Sequence, residues 1–124
     1  PPGASCPVIH TVKRCDFVIM VTEPTPFGLH DLRIAVEAIR PLGIPMGVVI
    51  NRSDIGDGEV GEYCKASSLP LLMEIPFDRK IAEGYSRGDM LIQTNPAFAE
   101  KLCELFENIS RIVNKGSDTR LATR

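Results

Sequence analysis

Three short apolar runs constrain this chain more than any other feature: residues 17–22 (FVIMVT), 46–50 (MGVVI) and 71–75 (LLMEI). They are near-continuous rather than alternating, as strands covered on both faces read. Between them lie stretches with helical spacing. Residues 26–40 carry Leu29, Leu32, Val36 and Ile39 on one face, introduced by the capping pair Thr25-Pro26 and closed by Pro41-Leu42-Gly43. Residues 59–67 are a weaker helix with Val60, Tyr63 and Cys64 on one side. Buried strands alternating with helices pair in parallel through right-handed crossovers. The expectation is a three-stranded parallel sheet with its strands in sequential order and the crossover helices on one face. The other face is too apolar for water, so the last helix, a missing half of the domain or a second copy of the chain is expected to cover it.

The flanks add helices. Residues 6–14 fit a short helix capped by Ser5, with Val8, Ile9 and Val12 together. Asp78 can cap a helix over residues 79–87, with Ile81, Ala82 and Tyr85 expected to face inward. Asn95-Pro96 starts the last helix, with an apolar stripe of Phe98, Leu102, Leu105, Phe106, Ile109 and Ile112. Residues 1–115 are expected to form the folded part, and 116–124 a polar tail that frays. The chain opens on Pro1-Pro2-Gly3 with no Met, which reads as incidental to the terminus or as the exit from an upstream strand.

Composition excludes several function classes. A net charge of −2 without a Lys/Arg cluster argues against nucleic acid and against a membrane surface. The longest apolar run falls far short of a membrane span, and no signal peptide is evident. The four cysteines form no C-x-x-C pair, so they read as free, buried, structural thiols in a reducing cytoplasm, and a thiol-redox role is disfavoured. His10 and His30 lack partners at catalytic spacing. No Gly-x-Ser-x-Gly, His-Glu-x-x-His or Gly-x-x-x-x-Gly-Lys-[Ser/Thr] motif occurs in these 124 residues. No catalytic residue and no metal ligand is nominated.

Ligands of open α/β sheets bind at the carboxyl ends of the strands, and the loops expected there supply the candidates. Asn51 follows the second strand, with Arg52 and Asp54 behind it. A side-chain amide can pair with the N6/N7 edge of adenine, although a turn-forming Asn at a strand end reads the same way. Pro76, Phe77 and Asp78 follow the third strand: either a loop beside a base, or a strand exit plus helix cap. Glu23, Pro24, Thr25 and Pro26 make a stiff loop, suited to a partner surface or simply to a helix entry. Pro1, Pro2 and Gly3 are a hinge, a phosphate-facing backbone or a plain turn.

Together these loops resemble the MinD/ParA-type P-loop ATPases. Residues 1–8 (PPGASCPV) look like the stretch after the second acidic motif of that family. Residues 21–32 (VTEPTPFGLHDL) are the most specific match, to a subgroup with an inserted ferredoxin-like domain carrying 4Fe–4S clusters. Residues 44–54 (IPMGVVINRSD) are similar to its adenine-contacting strand, and Ile75-Pro76-Phe77-Asp78, with Ile81-Ala82 and Tyr85-Ser86-Arg87-Gly88, to its next nucleotide-facing loop and helix. The resemblance covers residues 1–112 and implies the C-terminal βα units of a three-layer, Rossmann-like P-loop domain. It implies that Pro1, Pro2 and Gly3 are the switch loop, that Asn51 bonds adenine, that Pro76, Phe77 and Asp78 border adenine and ribose, and that Glu23–Phe27 lie near the nucleotide edge and a dimer partner. It implies ATP with Mg2+ and 4Fe–4S clusters in a longer parent, whose phosphate loop, lysines and cluster cysteines lie upstream, and a chain that cannot hydrolyse ATP alone. The implied partners are a second copy, the N-terminal half of the domain and an iron–sulfur or redox partner. The alternative is a small flavodoxin-like interaction module that binds no nucleotide.

Overall fold

The computed structural model describes residues 6–122, and these form two compact units that divide at the Ile75–Pro76 junction. The first unit holds the sheet. Helix α1 (Cys6–Val12) precedes strand β1 (Val18–Thr22); helix α2 (Pro26–Ile39) and a 3-10 turn (Arg40–Leu42) lead to β2 (Met46–Asn51); helix α3 (Glu59–Ala66) leads to β3 (Leu71–Ile75). The strand order is β1-β2-β3 and both pairings are parallel, as the alternation of runs requires. Ser5, the expected cap of α1, lies outside the described residues, as do Pro1, Pro2 and Gly3.

Local chemistry sets the element boundaries. The Thr25 hydroxyl accepts from the Gly28 N–H at 3.0 Å and Pro26 occupies the first helical turn, so α2 begins where its free amides are satisfied. It ends in the 3-10 turn, closed by Gly43 in the left-handed region at φ 69°. One core layer then forms. Leu29, Leu32, Val36 and Ile39 of α2 and Val60 and Cys64 of α3 pack against Val18, Met20, Val48 and Ile50 of the sheet. Both crossover helices therefore lie on one face, and Val48 at its centre is wholly buried. The Arg33 guanidinium sits 5.2 Å from the centre of the Tyr63 ring, and Arg40 Nη2 donates to the Ser67 carbonyl at 2.8 Å, which ties α2 to α3 at the surface.

The register carries one irregularity. Val48 pairs with Leu71, but the next residue of β2, Val49, pairs with Met73, so Leu72 is extra in the edge strand. The space for it comes from Gly47, where a Cβ would stand 2.6 Å from Leu72 Cδ1. Beyond the bulge Asn51 aligns with Ile75, so both strands end level. On β1 burial alternates: Val18, Met20 and Thr22 are buried, whereas Ile19 is 44% and Val21 67% exposed. The apolar second face expected from the sequence is thus open along β1.

The second unit is helical. Asp78 caps α4 (Arg79–Ser86) by accepting from the Lys80 N–H at 2.8 Å. The short α5 (Leu91–Thr94), which the sequence pattern does not foretell, packs on both α4 and α6 (Pro96–Ala122). Asn95 Oδ1 accepts from the Phe98 N–H at 3.1 Å, so Asn95-Pro96 does open the last helix. Three expectations are corrected. Ala82 and Tyr85 face outward, Tyr85 at 81% exposure, because the buried position of α4 is Gly84, whose carbonyl takes the Asp89 N–H as the chain turns back. Phe106 is exposed, because it falls one residue off the half-buried 98-102-105-109-112 stripe. Residues 116–122, expected to fray, continue α6: nothing in them is proline, and Gly116 alone does not stop a helix.

The cysteines also depart from expectation. All four are free, but only Cys64 is buried; Cys6, Cys15 and Cys103 are exposed, on α1, just after it and on α6. Burial pushes the Cys64 thiol above its ordinary value of 9.0 by disfavouring the thiolate. Its unfolded counterpart ionises first as pH rises, so stability falls above that value. A thiol-reactive chromophore is expected to label three cysteines fast and Cys64 only on unfolding. Leu32→Ala, in the centre of the core layer, should lower stability in urea by roughly 2–5 kcal/mol. Val21→Ala on the open face should change it by about 0.5 kcal/mol or less.

Candidate nucleotide-facing rim

Because all three strands run in parallel, their carboxyl ends form a single rim, and two loops of the first unit meet there. The chain leaving β1 is held by its own side chain: buried Thr22 donates from Oγ1 to the Gly28 carbonyl at 3.0 Å. The Thr25 N–H donates to the Glu23 carbonyl at 2.8 Å, and Pro24 between them is buried. These bonds and two proline rings fix the Glu23–Pro26 segment before α2 starts.

The loop after β2 is equally constrained. Asn51 is the last residue of the strand rather than the first of the loop, and is half-buried. Its Oδ1 accepts from the Arg52 N–H at 3.0 Å, and Arg52 itself has φ 52°, a left-handed conformation uncommon for a residue with a Cβ. The Ser53 N–H donates to the Ile75 carbonyl at 3.0 Å, stitching this loop to the end of β3. The Ile55 N–H returns to the Arg52 carbonyl at 3.1 Å, and Asp57 Oδ1 accepts from the Glu59 N–H at 3.2 Å at the start of α3. With Oδ1 engaged, the Asn51 amide nitrogen has no protein partner among the described residues and remains available as a donor at the rim.

Gly56 joins the two loops. It has φ 96°, and a Cβ there would run into the Pro24 carbonyl oxygen. The structure therefore brings Pro24 up against Gly56, in the turn that follows Asn51–Asp54, a contact the sequence does not announce; its one signal is the polar Gly56-Asp57-Gly58 turn. Pro76, Phe77 and Asp78 open the second unit, with Phe77 exposed and Asp78 engaged as the α4 cap. The structure shows the helix-cap role of Asp78 directly. Among the described residues no group of three or more His, Cys, Asp or Glu is placed to hold a metal ion. No helix among them is long and apolar enough to cross a membrane.

No protein-family model matches the chain. Sequence comparison finds relatives of greater length. The chain is 34% identical over 93 residues, 75% of its length, to an uncharacterized protein of Methanocaldococcus jannaschii, of which it covers 31%. It is 24% identical over 113 residues, 91% of its length, to a second uncharacterized protein of that organism, of which it covers 38%. It is 26% identical over 136 aligned positions, 98% of its length, to the iron–sulfur cluster carrier protein of Aquifex aeolicus, covering 37% of that protein. The chain thus spans about a third of the length of the curated relatives it matches. The fold class is the α/β, Rossmann-like one expected, and the relation to an iron–sulfur cluster carrier runs along almost the whole chain.

The loop contact is testable. Gly56→Ala combines a left-handed backbone with a clash and should lower stability in urea by roughly 2–4 kcal/mol. Gly43→Ala, also left-handed but with open space around it, should cost only about 1–2 kcal/mol. Equal losses would mean that Pro24 yields freely.

Proposed function

We propose that this chain is the adenine-facing, C-terminal part of an ATP-binding domain in an ATPase related to iron–sulfur cluster carriers. The observation that carries the reading is the rim itself. A half-buried Asn51 ends the central strand, its oxygen locked by the loop and its amide nitrogen still a donor, and the turn that follows packs through Gly56 against Pro24 of a second rigid loop. Such an amide suits the ring-nitrogen edge of adenine, which presents acceptors. The similarity to an iron–sulfur cluster carrier along nearly the whole chain supports the same reading.

In this proposal Asn51 bonds the base, and Arg52 and Asp54 lie beside the nucleotide. Pro76, Phe77 and Asp78 border adenine and ribose, and Glu23, Pro24, Thr25 and Pro26 form the edge toward the phosphates and a partner. Pro1, Pro2 and Gly3 are the switch loop. Triphosphate and Mg2+ are gripped by a phosphate loop in the N-terminal half of the domain, because these 124 residues carry no such motif. Clusters are likewise carried outside the described residues. Nucleotide then biases an association state, with a second copy or an iron–sulfur partner, rather than driving chemistry at a residue of this chain.

The test is nucleotide titration of the isotope-labelled chain followed by amide NMR shifts. Adenosine and ATP should bind alike and weakly, with Kd of ~1 mM or above, corresponding to about −4 kcal/mol or less. The shifts should concentrate at Asn51–Ser53, and Asn51→Ala should abolish them. Micromolar binding of ATP but not adenosine would place a phosphate grip in this chain and overturn the proposal. So would shifts that ignore Asn51→Ala.

A further inference from the structure

Adenine and guanine share an acceptor at N7 and differ at C6, where adenine carries the N6–H2 donor and guanine the O6 acceptor. A site that selects adenine must therefore turn an acceptor outward toward C6, and a site that takes guanine must offer a donor there. Thr22 and Ile50 are the last matched pair of β1 and β2, and Glu23 and Asn51 follow them at the rim. The backbone acceptors of the two loops are turned inward: the Glu23 carbonyl takes the Thr25 N–H at 2.8 Å, and the Arg52 carbonyl takes the Ile55 N–H at 3.1 Å.

The orientation of the Asn51 amide follows from its own loop. A backbone N–H can only donate, so the amide atom that faces the Arg52 N–H at 3.0 Å is Oδ1, and the NH2 takes the opposite branch. The left-handed Arg52, at φ 52°, and the bond from the Ser53 N–H to the Ile75 carbonyl hold that arrangement. What Asn51 presents to a base is thus a donor. Guanine sets two acceptors, N7 and O6, side by side against it, whereas adenine sets the N6–H2 donor beside its N7. The Asp54 carboxylate is exposed in the same turn. A carboxylate pairs best with two parallel donors, and guanine supplies them at N1–H and N2–H2, where adenine has an unprotonated N1.

We infer that the rim takes guanine nucleotides at least as readily as adenine nucleotides, with the Asn51 amide nitrogen as the group that reads C6. The inference rests on the reading of this rim as a base site and widens its ligand class from adenine to both purines. It assigns Asn51 a specificity role that residue type alone leaves open, because an amide turned the other way would offer its oxygen to N6–H2 and favour adenine.

The test titrates the isotope-labelled chain with AMP and with GMP, whose sugar and phosphate are identical, and follows the Asn51 side-chain NH2 and the backbone amides of residues 51–53. GMP should bind between equally and about tenfold tighter than AMP. Asn51→Asp keeps one oxygen for the Arg52 N–H and puts a second oxygen where the NH2 was. It should reverse the order, AMP then binding about fivefold or more tighter than GMP. If that variant fails to fold, the ratio in the unsubstituted chain decides alone. AMP binding about twofold or more tighter than GMP in the unsubstituted chain overturns the inference and leaves the adenine reading standing. An order that Asn51→Asp does not change also overturns it, because another group would then read C6. Shifts from neither nucleotide at Asn51 remove the base site and the inference together.

Discussion

The parallel pairing of β2 with both neighbours is the constraint on which the rest depends. Parallel strands force each connection to cross the sheet, and the crossovers α2 and α3 fall on one face, where a single apolar layer forms around Val48. The same pairing brings all strand ends to one rim, so loops far apart in sequence meet. Pro24 and Gly56 are neighbours for that reason. Core and candidate site are thus two results of one geometric choice, and a change that loosened β2 would harm both.

Much of this was legible in the residues. Apolar continuity gave the strands, helical spacing gave α2 and α3, and Thr25-Pro26, Asp78 and Asn95-Pro96 announced three helix starts through capping chemistry that needs no tertiary context. The misreadings share a cause. Residue type alone points Tyr85, Phe106 and three of the four cysteines inward, whereas a short helix has room for one buried position and a stripe admits only residues in phase with it. Helix spacing says which residues lie together; it does not say which face is in.

The candidate rim was legible as a set of loops but not as a contact. Asn51 was readable as a strand-end amide; that its oxygen would be spent on Arg52, and its nitrogen spared, depends on the left-handed turn of Arg52. Gly56 gave little sign of its role because a glycine in a polar loop reads as flexibility. In the structure it marks close approach to Pro24.

The extra residue in β3 has a consequence for how such a chain changes over time. Leu72 is taken up at the sheet margin, in the hollow left by Gly47, and the strands still finish level at Asn51 and Ile75. The outer strand thereby works as a vernier. A residue gained or lost upstream of Met73 shifts the bulge and leaves the alignment of the rim untouched. Length variation in lineages carrying this fold should gather between Leu69 and Leu72, while the interval from Met73 to Ile75 keeps its count, since there an insertion would carry the loop away from Ser53.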